Sequence, residues 1–168
     1  MSMTVEAPVT RDARDLLTAD ELASVTATVQ ANNPGMGRET AEEVVVQALK
    51  FEATCSTYAR GPLAPSRIVD EGWHALILHT RIKARLADRI GHFVHHVPEA
   101  PDPTRRAPNV LLRTQAAMED AGYIPDPKLW VRPSDTSIPV AASCQHRPGG
   151  EEGTCTGDPD GDGPSGPN

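Results

Sequence analysis

At 168 residues the chain has length for one domain with a substantial core but not for two. Apolar residues make up 38% of it and aromatic residues 4%, beside sixteen prolines and thirteen glycines, so part of the chain is expected to lack a packed structure. The formal charge of −7 is concentrated at one end, where Ser134 to Asn168 holds six acids against Arg147; the near-neutral remainder lacks the clustered Lys and Arg that attract nucleic acid or anionic lipid.

Residues 1–15 are polar and mixed and read as a flexible N-terminus with no leader pattern. Thr18 and Glu21 then have the spacing of a capping box, in which the hydroxyl takes a free backbone N–H and the carboxylate reaches back. A helix to about Asn32 is predicted, with Leu22, Val25 and Val29 on one face and Asn33-Pro34-Gly35 stopping it. Thr40 and Glu43 have the same capping spacing and open a second, longer helix. Its apolar set Val44, Val45, Ala48, Leu49, Cys55 and Ala59 keeps to one side, and Gly61-Pro62 ends it. Cys55 within that stripe reads as a small buried hydrophobe.

Pro65-Ser66 starts a third helix, which runs or bends into a fourth built on Ile82, Leu86 and Ile90. Four prolines between Pro98 and Pro108 require an extended connection, because proline removes a donor and disfavours helix before it. A last helix from about Val110 to Ala121 closes on Gly122, a left-handed cap. The prediction is an all-α bundle of four to five helices over residues 16–133, followed by a disordered acidic tail over 134–168. No run of alternating residues supports a sheet, and no apolar run is long enough to cross a membrane.

Five of the six histidines lie between Asp70 and His96. Asp70 and His74, four residues apart on a helix, share a face, which suits a two-donor metal site or a carboxylate that fixes an imidazole tautomer. His79 is five residues beyond His74, about 140° around a regular helix, and converges with it only if the helix breaks. His92 has helical spacing to both His95 and His96, and imidazoles so placed are favoured zinc, iron or copper ligands. With the third and fourth helices antiparallel, Asp70, His74 and a pair from His92, His95 and His96 would make a three- or four-donor site; His79 is the sixth candidate. The plainer alternatives are helix-terminal histidines favoured by the macrodipole and a core tryptophan at position 73.

The run from Pro65 to Thr80, with its Asp-x-x-Trp-His-x-x-x-x-His core, and the segment Gly91-His-Phe-Val-His-His-Val-Pro98 resemble the bacterial relatives of the glycine-rich domain-containing protein family, formerly a domain of unknown function. The resemblance covers roughly residues 44–98. It implies a small helical domain in which the Asp, Trp and paired His positions recur, and it carries no reaction with it.

Three further features stand outside this cluster. Arg81, Arg85 and Arg89 recur every four residues as a basic stripe, read as a solvated face or, more sharply, as a dock for an anionic substrate or the acidic tail. Cys144, His146 and Cys155 offer soft ligands at a spacing that fits no standard zinc finger. Asp158, Asp160 and Asp162 match the first half of a calcium loop whose second half is missing. Three cysteines fit no disulfide framework and, with the absent leader pattern, point to the cytoplasm. Two functions are compatible with these residues: a protein that binds a transition metal, zinc or iron, and acts on an unknown small molecule, or a noncatalytic module for a protein partner in which the Asp/Trp/His motif is structural.

Overall fold

In a computed structural model that describes residues 10–96, 109–132 and 134–140, a 3-10 turn (Ala13–Leu16) precedes five helices: α1 (Ala19–Asn32), α2 (Arg38–Cys55), α3 (Arg67–Leu78), α4 (Thr80–Ile90) and α5 (Val110–Asp120). The all-α expectation is met, and no strand occurs among the described residues. No helix among them is long and apolar enough to cross a membrane.

The centre of the bundle is α2, packed by α1, α3, α5 and the 3-10 turn, while α3 also meets α1 and α4. Buried positions from Val44 to Cys55 run around the whole of α2 instead of along one stripe, so its polar side chains must find partners inside the protein. Gln47 does so at both ends of its amide. Its amide nitrogen donates to Glu43 at 2.8 Å, and its carbonyl oxygen accepts from Trp130 Nε1 at 2.9 Å and the Asp126 amide at 3.2 Å. Through Gln47 the chain beyond α5 is drawn back to the core, where Tyr123, Leu129 and Trp130 are buried. Ile138 and Val140, placed in the tail by their composition, pack partly buried against the same core; residues 141–168 lie outside the described residues, and with them Cys144, His146, Cys155 and the calcium-loop fragment.

Two helix limits differ from those expected. The Thr18–Glu21 capping box forms, but Thr40–Glu43 does not cap: α2 starts at Gly37, and Glu43 instead pairs with Arg14 at 2.9 Å. Capping residues are equally at home in a first helical turn, so the spacing alone cannot fix the start. At the other end α2 stops at Cys55, well before Gly61. There Ser56 Oγ and Thr57 Oγ1 donate to the carbonyls of Ala53 and Thr54, side-chain bonds that compete with continuation of the helix, and Ala59 is left exposed.

At Gly72 the backbones of α2 and α3 come close together. A Cβ there would sit 2.7 Å from the Val44 carbonyl oxygen and 3.0 Å from Ala48 Cβ. The absent side chain lets the two backbones approach, and this sets the depth at which α3 presents Asp70 and His74.

Candidate metal centre

Ser66 caps α3, accepting from the Val69 amide at 3.1 Å and donating to the Leu129 carbonyl at 2.5 Å, so the first turn of α3 is tied to the segment after α5. Asp70 lies in that first turn, where the helix dipole favours a carboxylate. One turn on, His74 Nδ1 lies 2.9 Å from the Asp70 main-chain carbonyl and 3.2 Å from its carboxylate Oδ2. A carbonyl oxygen can only accept, so Nδ1 carries a proton, and Nε2 is the ring nitrogen through which His74 could act as an imidazole ligand.

His96 reaches the same place from beyond α4. That helix ends at Ile90, Gly91 turns the chain with φ +87°, and Val94 is buried. His96 Nε2 lies 3.9 Å from Asp70 Oδ1, and the rings of His74 and His96 are 4.6 Å apart. One donor atom from each of Asp70, His74 and His96 lies within 4.8 Å of the other two. Donors at about 2.1 Å from a tetrahedral ion lie about 3.4 Å apart, so the triad is wider than a closed site and would have to draw in by about an ångström or more around an ion. The side chains of Asp70 and His96 are 3% and 6% exposed against 27% for His74, so His74 forms the solvent-facing edge.

The other predicted ligands are elsewhere. His79 ends α3 and begins α4, and its Nε2 lies 2.7 Å from Thr28 Oγ1 on α1; the break in the helix at this residue does not return it to His74. His92 lines an open depression with Ala84, Ala87, Asp88 and Phe93, and His95 is exposed beside the Phe93 ring at 4.8 Å. The helical spacing expected of His92, His95 and His96 does not apply, because residues 92–96 follow the left-handed turn at Gly91 and are not helical. Their separation follows from that single turn.

Beneath the triad lies a feature that sequence reading missed. Trp73 is fully buried, with its indole face stacked on His96 (4.6 Å, 29° between planes) and its Nε1 donating to Glu52 at 3.2 Å. The Glu52 carboxylate also accepts from Lys83 Nζ at 2.5 Å. Burial pushes the Glu52 carboxyl above the usual range, and the Lys83 ammonium opposes that shift. The available signal was a carboxylate between Phe51 and Ala53 in an apolar stretch, and a lysine beside Ile82.

The arginine stripe is exposed along its length, but two of its members are engaged at the surface of the bundle. Arg85 and Arg89 bind Glu21 at 2.6 and 2.9 Å, and Arg89 also donates to the Leu16 carbonyl. The stripe thus clamps α4 to the start of α1.

Fold and site together define a small helical-bundle protein with a carboxylate and two imidazoles gathered at the junction of α3 and the segment after α4. The chain belongs to the UCP032817-like family, whose profile matches residues 16–118 and so takes in all three site residues. No curated protein and no solved structure matches the chain.

Proposed function

We propose that Asp70, His74 and His96 hold one transition-metal ion, zinc or iron, and that the protein acts through it on a small molecule. The observation that carries this reading is the convergence of one donor atom from each residue within 4.8 Å, on elements separated by a helix and two turns. Two imidazoles and one carboxylate suit zinc or ferrous iron and leave coordination positions for water or substrate. Such an ion would supply Lewis acidity, lowering the pKa of a water held at the triad. On this reading His79, His92 and His95 stand outside the ligand set, substrate approaches from the His74 edge, and the protein works in the cytoplasm.

A second reading is favoured by the stacking of His96 on Trp73: the motif is then a clasp between α3 and the segment after α4, in a module that binds a protein partner. Titration of chelator-stripped, full-length protein with zinc by calorimetry separates the two. Binding should saturate at one ion and weaken by about tenfold or more in Asp70→Asn, His74→Ala and His96→Ala, with His79→Gln, His92→Gln and His95→Gln unaffected. Absence of saturable binding in the wild type, with the triad variants merely less stable, would establish the clasp instead.

A further inference from the structure

The ion pair between Glu52 and Lys83 is buried at both ends, 0% and 4% exposed, in the middle of the bundle. A buried pair of this kind seldom adds stability over apolar residues of the same size, which raises the question of what it holds in place. Glu52 grips Trp73 through Nε1 at 3.2 Å, and Phe51 meets the same indole edge-on at 5.2 Å, so the ring is fixed in orientation as well as position. Lys83 Nζ lies 5.7 Å from the Trp73 ring centroid and 5.2 Å from that of Phe93, three residues before His96. One pair therefore touches both the indole under His96 and the segment that carries it.

We propose that Glu52 is a positioning residue for His96, with Lys83 as its counter-charge: the side-chain acceptor at position 52 orients the Trp73 indole, and the indole sets the plane and height of the imidazole so that Nε2 faces Asp70. The consequence for affinity rests on the metal reading, whereas the geometric claim does not.

The test uses two double variants of the full-length protein. E52L/K83M removes the pair and the acceptor for Trp73 Nε1; E52Q/K83M removes the charges but keeps an acceptor. On metal-free protein, the carbon-bound imidazole protons of His96 should resonate upfield of those of exposed His95, shifted by the indole ring current. That shift should persist in E52Q/K83M and disappear in E52L/K83M. With cobalt(II) as the probe, E52L/K83M should bind about 10–100-fold more weakly, with an altered d–d spectrum, while E52Q/K83M stays near wild type. A folded E52L/K83M with the wild-type His96 shift and cobalt affinity would overturn the proposal. Should that variant not fold, W73F keeps a ring under His96 with no N–H to anchor it: the cross-relaxation between the His74 and His96 rings should weaken, and wild-type intensity would overturn the proposal. A wild type with the shifted His96 signal but no cobalt binding removes the metal reading and leaves the positioning role standing.

Discussion

Glu21 shows how much one side chain organises at the residue scale. The Thr18 amide donates to its carboxylate at 2.9 Å, and Arg85 and Arg89 reach it from α4 at 2.6 and 2.9 Å. The Thr18 amide is the largest influence, and with the two guanidinium groups it holds the carboxyl at about 2, against the usual 4.5, in spite of the opposing effect of burial. Because the folded value lies below the unfolded one, this stabilisation is complete above about pH 4.5 and is lost as the pH falls toward 2. The melting temperature of wild type should therefore drop more steeply across that window than that of Glu21→Gln; parallel curves would contradict the assignment. The Thr18–Glu21 bond was legible in the sequence because its partners are three residues apart. The arginines were seen only as a stripe, since nothing local announces a partner more than sixty residues away. His79 makes the same point: helix geometry told that it turns from His74, but its bond to Thr28 spans 51 residues. His79→Gln should cost no more than about 1 kcal/mol of stability and leave metal binding intact.

Between elements, the decisive contacts are the α2–α3 crossing and the buried pair that joins α2 to α4. Alanine would normally improve a helix interior over glycine by about 1 kcal/mol, yet at Gly72 the new Cβ meets the rigid Val44 carbonyl at 2.7 Å. Backbone cannot yield as a flexible side chain does, so Gly72→Ala should be net destabilising by about 1–3 kcal/mol in urea unfolding with an unchanged slope. A gain in stability would mean that the helices are not in contact there. For the pair, Lys83→Met alone leaves Glu52 buried without its cation and should cost about 3–5 kcal/mol, while the E52Q/K83M double variant, which keeps an acceptor for Trp73 Nε1, should recover most of that loss. The sequence showed where α1 and α5 lie, because capping and glycine signals flank them. It could not show that α2 is buried all round, because Glu52 and Gln47 have the chemistry of surface residues until their partners are seen.

For the whole molecule, the all-α fold was readable from residue pattern through helical spacing, and the density of histidine between Asp70 and His96 marked the stretch that holds the candidate triad. Which histidines join Asp70 was not readable, because a single left-handed glycine after α4 takes residues 92–96 out of helical register and delivers His96 alone. The same turn leaves His92 and His95 outside the triad, and the Trp73–Glu52–Lys83 arrangement beneath it is assembled from three helices that no local pattern connects. Metal content of full-length protein purified without a histidine tag, measured with its melting temperature before and after chelation, tests the central claim most directly. Close to one zinc or iron per chain is expected, with a melting temperature that falls in chelator, since an ion held at a hundredfold excess over Kd stabilises by about 2.7 kcal/mol. Metal far below one per chain, with a melting temperature that chelator does not change, would contradict it.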